Sequence, residues 1–188
     1  MQCATKFEFG LFGAILFLAV VIGSAIFTPL SDIIGRRYVL LIGMVMQFVF
    51  SVFLLFTHDR NIAYFLVFMI GLDFGARKFV GFIYIMEFLT ASQTRQMTQI
   101  VTALDRLCLT FASFYFQVVS KSWTYLHVIQ IMLAAISIYL IMNLPESPKF
   151  LVKKGKIEEA QSALQKMAET NKVKFDFDQT PLVVEESI

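Results

Sequence analysis

Three sets of charged side chains in this chain are spaced for chemistry, and the chemistry is ion pairing. Asp32, Gly35, Arg36 and Arg37 stand together in the segment S-D-I-I-G-R-R. Glycine there permits a tight turn, Asp32 can cap a helix or pair, and the two arginines can donate charge-assisted hydrogen bonds to carboxylates on neighbouring loops. Taken alone, the segment also reads as an ordinary basic loop at a membrane surface. Asp73, Arg77 and Lys78 lie inside an otherwise apolar run, with Asp73 and Arg77 at the four-residue spacing that pairs side chains along one helix. Asp105 and Arg106 sit near the middle of another such run. Adjacent helical residues point in different directions, so at least one of the two needs a partner elsewhere. A charge at the centre of a membrane helix costs about 2.5–3.5 kcal/mol on an insertion scale, which disfavours exposure to lipid. These groups could line a polar solute pathway, or they could pair within the chain or with a neighbouring subunit. The pairing reading is preferred.

Nothing else is arranged for catalysis. The chain has no glycine-rich nucleotide loop, no metal constellation and no nucleophile beside a base, so an enzyme is not expected, and neither is a metal or cofactor. His58 falls in an outer loop and His127 near a helix start, where both read as ordinary polar residues. Cys3 and Cys108 lie too far apart in sequence for a metal motif, and two cysteines make no disulfide framework.

The elements that must hold these charges are set by composition. The 188 residues are 57% hydrophobic and only 16% charged. A soluble domain carries roughly 25% charged residues, so this chain belongs in a bilayer. The 21 phenylalanines suit lipid-facing and helix-packing surfaces alike. A net charge of +2 gives no reason to expect a nucleic-acid partner. Crossing a hydrocarbon core takes about 20 predominantly apolar residues in a helix. Gly10–Leu30 and Tyr38–Phe56 are uncharged and long enough; Asn61–Met86 and Gln99–Ser120 carry the charges named above, and Ser122–Leu144 is uncharged and opens with the interfacial residues Trp123 and Tyr125. The expected fold is therefore an all-α integral membrane protein with five spans over 10–144, after a short N-terminal segment, 1–9. The start lacks the basic region of a secretory signal and the character of a transit peptide, so the first span should be retained.

Basic residues are retained on the cytoplasmic or matrix-like side. Arg36, Arg37, Arg95, Lys149, Lys153, Lys154 and Lys156 fall on one side, and Lys6, Arg60 and Lys121 on the other, which puts the C-terminal end inside. Within 145–170, Ile157, Ala160, Leu164 and Met167 recur at helical spacing among Lys and Glu, as in an amphipathic helix at the inner surface. Residues 171–188 are polar, contain Pro181 and read as a loose tail. Gly71 and Gly75 form a small-xxx-small pair that close helix packing explains.

Four motifs in register resemble the major facilitator superfamily in its organic-cation and sugar-porter branches, covering roughly Phe9 to Thr170. Asp32-x-x-Gly35-Arg36-Arg37 resembles the loop between that family's second and third helices. P-E-S-P-K-F-L-V-K-K-G-K-I-E-E-A, Pro145 to Ala160, resembles the segment after its sixth, with Lys149-Phe150 standing where Arg-Trp is usual. Glu87 and Arg95 resemble the Glu and Arg that follow the fourth helix, with seven residues between them here against a usual six. Trp123 sits where a tryptophan is common. The resemblance implies that Asp32, Gly35, Arg36, Arg37, Glu87, Arg95 and Glu146 belong to an inner-side charge network that latches two halves of a transporter. Thr28 departs from the pattern, since glycine is usual there and a β-branched residue puts tight packing against a second half in doubt.

Such a transporter has twelve helices in two halves, with solute bound between them. The resemblance accounts for the second to sixth only. The expectation is a transporter-derived, non-transporting accessory or structural subunit, embedded in lipid and packed on other membrane subunits. The alternative is half of a small-solute transporter, of organic-ion or sugar type, that needs a second half; a sequence incompletely read from a longer transporter is a third possibility. An organellar membrane, the mitochondrial inner membrane among them, is preferred over the plasma membrane.

Overall fold

The computed structural model describes residues 6–171, and all regular structure among them is helical. In chain order the helices are α1 (Lys6–Ile34), α2 (Arg36–Phe56), α3 (Arg60–Gly75), α4 (Gly81–Glu87), α5 (Ala91–Phe114), α6 (Thr124–Asn143), α7 (Pro148–Lys153) and α8 (Ile157–Thr170). A π-helical turn, Ala76–Val80, joins α3 to α4 without a break, and a second, Tyr115–Val119, ends α5. The tail beyond Asn171, with Pro181, and Cys3 lie outside the described residues.

Among the described residues, three helical stretches are long and apolar enough to cross a membrane: Gly10–Ile34, Arg36–Phe56 and Thr124–Asn143. In hydrocarbon each backbone N–H and C=O must be satisfied within its own segment, which is why these runs fold as unbroken helices. Their outward faces are apolar and exposed, as at Phe17 (72%) and Tyr139 (68%), the reverse of a soluble bundle.

Small residues set the packing. On the facing sides of α1 and α3, Ala19 and Gly23 meet Gly71, Leu72 and Gly75. A Cβ built on Gly75 would lie 2.5 Å from the Ser24 nitrogen and 2.6 Å from the Gly23 carbonyl carbon, both backbone atoms that no rotamer change can move. Gly75→Ala should therefore force the two helices apart and cost about 1–3 kcal/mol, the usual range for overpacking. A fall in the unfolding midpoint of the purified chain in bicelles checks this; Gly10→Ala, where a Cβ would meet nothing within 4 Å, serves as the neutral control. On the other side of the bundle Val39 packs with Ala76 and Val80, flanked by Phe27 and Leu30. At the end of the bundle away from Gly35, Phe12 stacks on Tyr64 at 4.2 Å, and Arg60 donates to Glu8 at 2.8 Å.

Three boundaries differ from the sequence expectation. The loop expected over Ser31–Arg37 is almost entirely helical. α1 runs through Pro29 to Ile34 and only Gly35 interrupts it, because proline removes a single donor and long membrane helices accommodate that loss. Arg95 was expected in a connection but lies on α5, which starts early because the Gln93 side chain accepts the Thr90 N–H at 3.1 Å. The short α7 was not anticipated. Ser147 Oγ accepts the Phe150 N–H at 3.3 Å and Pro148 occupies the first turn, a strong helix start. α8 packs on α7 through Phe150, Leu151, Ala160 and Ala163.

Candidate functional site

The base-rich end of the bundle is organised around two consecutive arginines. At Gly35 the backbone takes φ 127° and ψ 148°, a conformation essentially reserved for glycine, and it turns α1 into α2 within one residue. That turn sends Arg36 and Arg37 in different directions. Arg36 points into the bundle and is 7% exposed. Its Nη2 lies 2.8 Å from the Asp32 carboxylate one turn back on α1, and its Nε donates to Glu87 at the end of α4 at 2.9 Å. Its guanidinium carbon sits 4.8 Å from the centre of the Phe150 ring on α7. A single side chain thus joins α1, α4 and α7, with its charge met by two carboxylates and an aromatic face.

Arg37 turns outward and caps α6, its Nε and Nη2 donating to the carbonyls of Ile141 and Met142 at 3.2 and 2.6 Å. A cation at a helix C-terminus meets both the orphan carbonyls and the negative end of the dipole. Glu146 closes the arrangement by accepting the backbone N–H of Arg37 and of Ser147, both at 3.0 Å. The Tyr84 hydroxyl donates to the Pro145 carbonyl, and Lys149 Nζ to the Leu89 carbonyl at 3.3 Å. The segment after α6 is thereby fastened to the ends of α2 and α4.

Asp32, Gly35, Arg36, Arg37, Glu87 and Glu146 are brought together in this way. Arg95 is not. It is exposed on the second turn of α5, with no partner among the described residues, because the helix starts at Ala91 and carries it away while Arg36 occupies Glu87. Phe150 and Tyr84 were missed. The only signal for Phe150 was its place beside Lys149, where an Arg-Trp pair was the pattern resembled.

The mid-bundle charges form two pairs. Asp73 is fully buried, and Arg77 donates to its Oδ1 from Nε at 3.4 Å and Nη2 at 3.2 Å. Lys78, from the π turn, contacts Asp105 on α5, supplying the partner that the adjacent Asp105 and Arg106 required. Arg106 stays exposed without a partner among the described residues. A separate polar link, not foreseen, joins α2 to α6: His127 Nε2 lies 3.0 Å from the Ser51 carbonyl oxygen and Gln130 Nε2 donates to Ser51 Oγ at 3.3 Å. No group of three or more metal-ligating side chains converges among the described residues.

Comparison with known proteins settles the ancestry. The profile of the Sugar (and other) transporter family matches residues 1–187. The chain belongs to that family, within the major facilitator superfamily. Its relatives include "Solute carrier family 22 member 15-like" of Xenopus laevis, 27% identical over 170 residues, covering 89% of this chain and 34% of the relative. "Organic cation/carnitine transporter 2" of Homo sapiens is 27% identical over 176 residues, 91% of this chain and 31% of the relative. "Synaptic vesicle glycoprotein 2A" of Rattus norvegicus is 25% identical over 185 residues, 90% and 25% respectively. The chain thus spans about a third or less of the curated relatives it matches. The arginine cluster occupies the junctions between the first, second, fourth and seventh helices of this chain.

Proposed function

We propose that this chain is the part of a small-solute membrane transporter that carries an inner-side latch and one polar wall of a solute pathway. The observation that supports it is Arg36, buried and held at once by Asp32, Glu87 and Phe150 from three separate helices. Such a junction can be made and unmade as helices move, because each contact is an ion pair or a ring face and none is covalent. Asp32, Gly35, Arg37 and Glu146 would hold the latch in register. Asp73, Arg77, Lys78, Asp105 and Arg106 would give the polar wall. In this reading the helix from Arg60 to Glu87 and α5 also cross the bilayer, completing five spans. The first of these runs about 40 Å at 1.5 Å per residue, ample for a hydrocarbon core of about 30 Å. Activity requires further helices against α5, whose Arg106 is otherwise exposed at membrane depth.

That exposed arginine also favours a second reading, an accessory subunit whose α5 face packs on another membrane protein. One experiment separates the two. The chain is purified in mild detergent with whatever travels with it, sized by native mass spectrometry and reconstituted into liposomes. Uptake of radiolabelled carnitine or glucose above empty vesicles, abolished by Arg36→Ala, is the expected result. A stable heteromeric assembly with no uptake of either class of solute would replace the transporter reading with the subunit reading.

A further inference from the structure

A cleft of about 340 Å³ opens at the base-rich end between α7, α8, the start of α2 and the segment that follows α6. Its floor includes Ile34, the last residue of α1, and Pro145, just past α6, so it lies at the level where three apolar helices stop. Three cations from three elements face it: Arg37 of α2, Lys166 of α8 and Lys156 just ahead of α8. We propose that this cleft holds the phosphate of an anionic phospholipid headgroup.

Each of the cations is positioned and none is used up. Lys166 Nζ donates to the Asn143 carbonyl at 3.1 Å, which fixes it beside the end of α6 and leaves two of its three donors. Arg37 spends Nε and Nη2 on the α6 carbonyls and keeps Nη1. Lys156 is paired with Glu159 at 2.8 Å, and that hydrogen bond raises its pKa, so it stays charged at any pH a membrane surface reaches. The acids lining the cleft are Glu146 and Glu159. Glu146 has one oxygen on two backbone N–H groups, and the other lies against the place a Gly35 side chain would take. Three cations against two carboxylates leave one positive charge, which a phosphodiester monoanion neutralises. The apolar flank points to a lipid and not to a soluble anion, since Ile34 and Tyr38, which line the cleft, are 48% and 54% exposed. An acyl chain can run down that flank while its phosphate stays in the cleft.

The test uses the full chain released from nanodiscs of equal phosphatidylcholine and phosphatidylglycerol into a native mass spectrometer. One phosphatidylglycerol should be retained in preference to phosphatidylcholine. Lys156→Gln and Lys166→Gln should each lower that preference about fivefold, the attraction of one lysine to an anionic membrane surface. The doubly substituted Lys156→Arg/Lys166→Arg chain should keep it, which guards against a mere failure of α8 to fold. Lys153→Gln/Lys154→Gln removes two charges just outside the cleft and should leave retention unchanged. Equal loss in that control would show diffuse surface attraction and overturn the proposal. So would inorganic phosphate binding the chain as tightly in phosphatidylcholine discs, since the site would then serve a free anion, or the absence of any retained anionic lipid.

Discussion

Replacing Arg36 by alanine is expected to lower the stability of the folded bundle by about 3–5 kcal/mol, the loss that follows when one partner of a buried ion pair is removed. The size comes from what stays behind. The side chain of Glu87 is 15% exposed, its Oε1 accepts from Arg36 at 2.9 Å, and its Oε2 is buried with no partner among the described residues. Without Arg36 a carboxylate would remain in that setting with neither oxygen bonded. Denaturant unfolding of the chain in bicelles measures the change. Arg36→Lys should recover part of it, since an ammonium keeps the charge but cannot serve Asp32, Glu87 and the Phe150 face with one planar group. Arg36→Met combined with Glu87→Leu should be far milder than Arg36→Ala, because it removes both charges together. If Arg36→Ala proves as mild as a surface substitution, the guanidinium does not hold these helices.

Gly35→Ala is the second large effect, expected at about 3 kcal/mol from two additive causes. At φ 127° and ψ 148° a side chain of any kind is strained. A Cβ there would also lie 2.6 Å from Glu146 Oε2. Relief means moving Glu146, and that releases the backbone N–H groups of Arg37 and Ser147. Gly35→Asn distinguishes this from an ordinary left-handed turn. Asparagine tolerates the usual left-handed region but not this extended one, so it should be no better than alanine. Glu146→Ala alone measures the loss of those two hydrogen bonds, and Gly35→Ala on that background, free of the clash, adds the strain alone. The unfolding midpoints of the single and double variants give both parts.

The arginines and the glycine could be read from the sequence because they form a short motif whose chemistry is carried by residue type, whereas Glu87 and Glu146 were expected only through the family resemblance. Asp32 to Arg37 is contiguous, and Asp73 with Arg77 has the spacing of a single helical turn. The partner of Asp105 could be required but not named, since Lys78 lies on another helix and the meeting depends on how the two pack. Phe150 under Arg36 was unreadable for the same reason: their contact spans more than a hundred residues of sequence, and nothing local to either announces it. Arg95 shows the opposite failure. A family-like Glu and Arg suggested a pair, but the helix start at Ala91 sets the direction of Arg95, and that start was decided by a cap at Thr90. Membership of the family was legible from motifs in register. Among the described residues three segments are long and apolar enough to cross a bilayer, and the segment from Arg60 to Glu87 carries Asp73, Arg77 and Lys78 within its apolar run.

That π turn has a consequence for angular phase. A residue adds about 100° of rotation in an α-helix, and a π turn takes up an extra residue within one turn. Upstream of Ala76–Val80, Gly71, Asp73 and Gly75 face into the bundle; downstream, Tyr84 reaches Pro145 and Glu87 reaches Arg36. Were those five residues wound as ordinary α-helix, everything after them would swing by roughly one residue's rotation, about 100°, and Tyr84 and Glu87 would leave their partners. The widened turn is therefore a clutch between two ends of one rod. It lets the glycine face of α3 and the carboxylate at the end of α4 each be aligned on its own neighbours.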